Sequence, residues 1–187
     1  RLLRQQRRRG LGAARNVALA EVETPFLAYL DSDDVLAPTA LERMVGTLDA
    51  SGSEFVAGAY VRLRPETDGS YSAGTVQPWV AAATDPERKG TSLIEHPEAT
   101  ANIVAWSKVS RTDFWHRNGL RFPEGRLYED QVVAQQMLVH ARKFDVIPDV
   151  VVHWRIRPDN SSITQHEADL AVLRDCLDAM TDGLSIL

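Results

Sequence analysis

A short apolar run at residues 26–30 stops abruptly at Asp31-Ser32-Asp33-Asp34. An unalternating run of this length is the mark of a strand buried on both faces. The acidic residues then fall in a loop at that strand's carboxyl end. Helical periods flank the run: Leu11, Ala14, Ala18, Leu19 and Val22 before it, Leu41, Met44, Val45 and Leu48 after it. Thr24 and Pro25 stop the first helix, Pro38 suits the first turn of the second, and Ser51-Gly52 ends it. A further strand is expected over residues 54–63. Strands alternating with helices predict an α/β fold with a mostly parallel sheet flanked by helices. Ligands of such sheets sit beyond the carboxyl ends of the strands, which places Asp31 to Asp34 at the mouth of a cleft.

Farther along, residues 65–97 are punctuated by Gly, Pro, Thr and Ser and predict hairpins and a loop. Residues 102–107 predict a strand, 111–118 a short helix closed by Gly119, and 129–142 a long helix. Strands are expected over 144–147 and 150–156, around a Pro148-Asp149 turn. An amphipathic helix over 165–180 closes the chain, so residues 1–164 read as one α/β domain and 165–187 as a helical segment.

The charge pattern narrows the partners. A net charge of −5 argues against nucleic acid, although Arg1, Arg4, Arg7, Arg8 and Arg9 crowd the start. Such a tract is either a solvated segment or a contact for phosphates or an anionic membrane surface. The single cysteine, Cys176, rules out a disulfide framework within the chain and fits a cytosolic compartment. No apolar run approaches the roughly 18 residues of a membrane span, and no signal-peptide pattern is visible.

Four segments carry chemistry. Three carboxylates within Asp31 to Asp34 repel one another, and a hard divalent cation, Mn²⁺ or Mg²⁺, relieves that. Asp31 and Asp33 can point the same way from an extended loop, which makes them the candidate metal ligands. The other reading is an Asp-rich turn or helix cap. In Gly10-Leu11-Gly12-Ala13-Ala14-Arg15-Asn16 the glycines permit close backbone approach. Arg15 lies on the apolar side of its helix, so it faces a nucleotide in a cleft or a structural ion pair with one of the aspartates. Glu129 suits the dipole of the helix it opens, whereas Asp130 falls in line with Val133, Ala134 and Met137 on the core face. A carboxylate at a core edge can serve as a general base. Finally, His153, Arg155 and Arg157 alternate onto one strand face and suit a diphosphate, or form a solvated edge.

With these segments in this order, the chain resembles the inverting family 2 glycosyltransferases of the GT-A fold. Residues 10–16 resemble the family's glycine-rich segment ending in Ala-Arg-Asn, residues 26–36 its strand with the D-x-D loop, and Tyr128-Glu129-Asp130 its E-D motif. Trp106-Ser107-Lys108 and residues 118–125 resemble the stretch leading to the acceptor side, and residues 161–164 a segment of members acting on bacterial envelope polymers, including teichoic-acid-type enzymes. The family opens with strand, helix and strand carrying an acidic turn for the base. Nothing before Gly10 supplies them, so the resemblance implies that the N-terminal strands of the GT-A fold are missing.

The resemblance further implies a nucleotide-sugar donor and a saccharide or polyol-phosphate acceptor. It implies a metal on Asp33 with Asp31, Arg15 on the nucleotide, and His153, Arg155, Arg157 and Ser162 around the diphosphate. Asp130 would be the base and Glu129 would orient the acceptor. The expected setting is cytoplasmic, peripheral at the inner face of the plasma membrane, in cell-envelope polysaccharide synthesis. Two other readings stay open: a nucleotidyltransferase, and a truncated non-catalytic interaction module.

Overall fold

The computed structural model describes residues 1–159, 162 and 168–187. In chain order the elements are α1 (Leu11–Leu19), β1 (Phe26–Ala28), β2 (Val35–Leu36), α2 (Ala40–Ser51), β3 (Phe55–Pro65) and β4 (Tyr71–Ala73). These are followed by α3 (Pro78–Thr84), β5 (Arg88–Thr91), β6 (Lys108–Arg111), α4 (Thr112–Asn118), α5 (Glu129–His140), β7 (Phe144–Arg155) and α6 (Leu170–Ile186).

Seven strands form a single sheet among the described residues, in the order β1-β6-β3-β7-β2, with β4 on β3 and β5 on β7. The α/β class holds, but the sheet is mixed rather than mostly parallel. Only β3 and β7 pair in parallel, and the remaining pairs are antiparallel. β1 and β3, joined through α2, do run in the same direction, as their alternation with helices demands. The antiparallel strand β6 sits between them. Local periodicity reports the crossover and is blind to a strand inserted from later in the chain.

The central strands bury both faces, as their apolar runs require. On β3, Phe55 enters a core with Phe114, Trp115, Phe122, Met137 and Phe144. Its neighbour Val56 enters the opposite core with Met44, Leu48, Tyr60, Ile147 and Val152. The Phe55 ring stacks on Phe144 at 5.1 Å and on Phe114 at 6.3 Å. Burial of each such ring is worth roughly 1.5–3 kcal/mol.

Several local expectations are revised. β7 runs unbroken through Pro148-Asp149, because the register shifts at Gly58 and Ala59 let those two residues bulge out of the pairing. Residues 102–107 are a fixed loop and the strand follows them, since Asn102 accepts from Ser107 at 2.9 Å and donates to the Gly58 carbonyl at 3.3 Å. A helix, α3, lies in the stretch expected to be hairpins and loop. Pro78 at its first turn and Ala81-Ala82-Ala83 are its local causes. The closing helix begins at Leu170, and residues 165–167 lie outside the described ones. α6 packs along α5, with Gly183 against Gln135. Among the described residues no helix is long and apolar enough to cross a membrane.

Candidate active site

The start of α1 is clamped to the chain that precedes α5. A Cβ on Gly12 would lie 2.1 Å from the Pro123 carbonyl oxygen, so only glycine allows this approach. Asn16 donates to the Phe122 carbonyl at 2.9 Å and accepts from the Phe122 N–H at 2.9 Å. Tyr128 then takes a left-handed φ of 57° and turns the chain into α5. The result brings Arg15 against the first turn of α5.

Arg15 is 6% exposed and holds two carboxylates. Its Nη1 donates to Glu129 Oε1 at 2.8 Å and its Nη2 to Asp31 Oδ1 at 2.8 Å. Both readings of this residue thus meet at one place: it is a buried ion pair, and it lines a cleft. That cleft, of about 860 Å³, is bordered by Arg15, Asp31, Asp33, Asp34, Glu129, Asp130, Arg157 and Ser162. Its far wall is one side of α6 from Cys176 onward, together with Leu187 just past the helix end.

Electrostatics at the cleft floor favour protonated acids. Burial raises Glu129 to about 6, helped by the charge of Asp130 and opposed by Arg15. Burial also raises Asp130 above the usual carboxylate range; Asp31 adds to this, while Arg15 and Lys108 oppose it. Asp34 is raised to about 7, first by burial and then by Asp33 and Asp31, against the Arg155 backbone N–H that it accepts at 2.8 Å. Three acids of displaced affinity along one cleft are a common mark of a catalytic centre.

Lys108 lies beside Asp130 and is buried. It donates to the carbonyls of Asn102 and Val104, each at 2.6 Å, and to Asn102 Oδ1 at 3.1 Å. Burial pushes it down to about 7, with Asp130 opposing. Three oxygen acceptors use all three N–H groups of an ammonium, so the geometry serves the charged form.

Two expected donor contacts are not brought here. His153 and Arg155 do not border the cleft. The Arg155 guanidinium lies over the Tyr71 ring at 5.0 Å instead. It is Trp154, between them, that faces the cleft. Because β7 ends at Arg155, strand alternation no longer governs Arg157, which turns back to donate from Nε to Asp33 Oδ2 at 2.6 Å. Sequence reasoning singled out Trp106 but missed the rest of the aromatic lining, Tyr60, Trp79 and Trp154. Tyr60 and Trp154 sit in ordinary apolar strand patterns and carry no local signal of a site.

As for a metal, no group of three or more His, Cys, Asp or Glu side chains converges among the described residues. Asp31 and Asp33 nonetheless both border the cleft. That pair fits the habit of Mg²⁺ of taking one or two carboxylates and completing its shell with substrate phosphates and water.

Comparison with known proteins follows the same lines. The model of glycosyl transferase family 2 matches residues 1–105. Glycosyltransferase GlyG of Streptococcus pneumoniae serotype 4 is 23% identical over 193 residues, covering 99% of this chain and 61% of GlyG. The succinoglycan biosynthesis protein ExoO of Rhizobium meliloti is 41% identical over 54 residues, covering 29% of this chain and 16% of ExoO. The crystal structure of S. aureus TarS 1-349 in complex with UDP-GlcNAc matches with a TM-score of 0.66 at 19% identity, covering 95% of this chain and 52% of TarS. The shared fold is GT-A. The chain spans 61% or less of the length of each of these proteins.

Proposed function

The chain belongs to glycosyl transferase family 2, and on that premise we propose that its cleft transfers a sugar from a nucleotide-diphosphate donor to an acceptor hydroxyl with inversion. The observation that carries this reading is Asp130: it borders the cleft at the first turn of α5, with its proton affinity raised by burial. A base with raised affinity takes a hydroxyl proton more readily than an ordinary carboxylate does.

In the proposed reaction Asp130 accepts the proton of the acceptor hydroxyl as its oxygen attacks the anomeric carbon. The bond from that carbon to the diphosphate breaks on the opposite face, and its electron pair leaves with the diphosphate. Glu129, fixed by Arg15, orients the acceptor. Arg157 and Ser162, which border the cleft, face the diphosphate, and Asp33 holds the Arg157 guanidinium in place. Mn²⁺ or Mg²⁺ on Asp33 with Asp31 would supply positive charge against the leaving diphosphate. UDP-GlcNAc in the TarS complex supports a nucleotide-sugar donor, and the succinoglycan role of ExoO supports work in bacterial envelope polysaccharide synthesis.

The test is product analysis with UDP-GlcNAc, Mn²⁺ and saccharide or polyol-phosphate acceptors. Acceptor-dependent release of UDP, with a product of opposite anomeric configuration, is expected. Release of pyrophosphate from UTP and a sugar 1-phosphate, supplied in a parallel reaction, would assign nucleotidyl transfer instead. Absence of both release and metal-dependent UDP binding by calorimetry would leave a non-catalytic interaction module.

A further inference from the structure

The cleft has a second character besides its acids. Tyr60, Trp79, Trp106 and Trp154 also border it. Tyr60 meets Trp106 edge-on at 4.7 Å, and Trp106 leans on Trp154 at 6.0 Å. Arg62 covers Trp154 at 4.9 Å. These three rings are held by one another. Trp79 differs: it is 45% exposed while standing on a helix whose next residue, Val80, is fully buried. Its indole lies near the Tyr60 hydroxyl, at the edge of the aromatic group. A large apolar ring, left half open on the border of a cleft, is a ready contact surface.

The aromatic group also adjoins the proposed base. Tyr60 feels the charge of Asp130, the Ala105 backbone beside Trp106 lies close enough to Asp130 to lower its proton affinity, and Tyr60, Trp106 and Asp130 border the same cleft. The acceptor oxygen must touch that base, so whatever lies on this wall is part of the acceptor. Gln131, which follows Asp130, and Gln135, one helical turn on, border the same space and offer amide groups to hydroxyls.

We infer that Trp79, backed by Tyr60, Trp106 and Trp154, is a stacking platform for a pyranose ring of the acceptor, so that this cleft takes a saccharide and not an open-chain polyol phosphate. The inference rests on the transfer reading above. A pyranose presents a flat face of C–H groups, whose positive edges suit the negative face of an indole. Its hydroxyl rim turns outward to hydrogen-bonding groups. An open-chain polyol has no such flat apolar face.

Saturation-transfer NMR with N,N′-diacetylchitobiose, cellobiose, maltose and ribitol 5-phosphate tests this on the wild type, Trp79→Phe and Trp79→Ala. UDP binding is measured in parallel by calorimetry. At least one disaccharide should receive saturation on its ring C–H protons, and ribitol 5-phosphate should not. Affinity should fall roughly three- to tenfold in Trp79→Ala and less in Trp79→Phe, as loss of one aromatic contact implies. UDP binding should be the same in all three proteins. Undiminished disaccharide binding by Trp79→Ala would overturn the inference, as would silence from every disaccharide or preferential binding of ribitol 5-phosphate. Displacement of the disaccharide by UDP-GlcNAc would give the ring to the donor, and so overturn it too. Since UDP and disaccharide are read separately, loss of the first condemns the transfer reading and loss of the second the platform.

Discussion

Arg15 Nη1 donates to Glu129 Oε1 at 2.8 Å, joining side chains 114 positions apart in sequence. The same guanidinium takes Asp31, so one buried cation ties the loop after β1 to the helix that carries Asp130. On the proposed transfer reading, the donor side and the acceptor side of the cleft share this electrostatic fastening.

Arg15→Met should therefore be costly, because it leaves Glu129, whose side chain is 7% exposed, as a buried acid without its partner. Breaking a buried pair in this way costs about 3–5 kcal/mol. Urea unfolding measures it. Adding Glu129→Gln should restore much of the loss, and a single variant within about 1 kcal/mol of wild type would show that the pair is not structural.

Asp130→Asn keeps the shape of the side chain and removes the base. Transfer should fall by roughly 10²–10⁴, while UDP binding with Mn²⁺ stays close to wild type. Near-full activity in a coupled UDP-release assay would remove Asp130 from the role. In the wild type, the acid limb of the rate profile should lie above the ordinary carboxylate range, in line with the upward displacement of Asp130.

Glu129 makes stability depend on pH in a set direction. Its folded affinity is raised from 4.5 to about 6. Protonation is thus favoured by folding, and the contribution is full below 4.5 and lost as pH rises through 6. The loss is on the order of 2 kcal/mol across that window. Thermal unfolding from about pH 4 to 7 should show a decline in both proteins, because Asp34 and Asp130 are raised as well, and the decline should be smaller in Glu129→Gln. An equal decline in both would assign it to other groups.

Gly12→Ala adds a Cβ at 2.1 Å from the Pro123 carbonyl, an atom of the backbone that cannot simply swing away. Overpacking of this kind costs roughly 1–3 kcal/mol. Calorimetric unfolding should register it, and Gly46→Ala, inside α2 where nothing lies within 4 Å, serves as the contrast, unchanged or stabilised by up to about 1 kcal/mol.

Much of this was legible in the residues. The helix opening at Glu129 appears where its periodicity puts it, and the strand before Asp31 is also there, though as three residues at the end of the sheet with only Leu27 buried rather than a strand buried on both faces. Arg15 was readable because a cation on an apolar helix face must find a partner. The opposite holds for His153 and Arg155, whose alternation with Arg157 assumed a strand that in fact stops at Arg155. The aromatic wall was illegible for another reason. Trp79 comes from α3, Tyr60 from β3 and Trp154 from β7, and each looks like ordinary core or surface in its own segment. Only the tertiary fold makes them neighbours.

The placement of β6 bears on how such a chain comes to be folded during synthesis. β1 and β3 emerge early and aligned, yet each hydrogen-bonds along one edge to Lys108–Arg111. Until that strand leaves the ribosome, both edges stay unpaired, open to wrong partners and to chaperones. The family signature over residues 1–105 ends just before it. What evolution marks as the recognisable unit is therefore shorter than what the sheet needs in order to close.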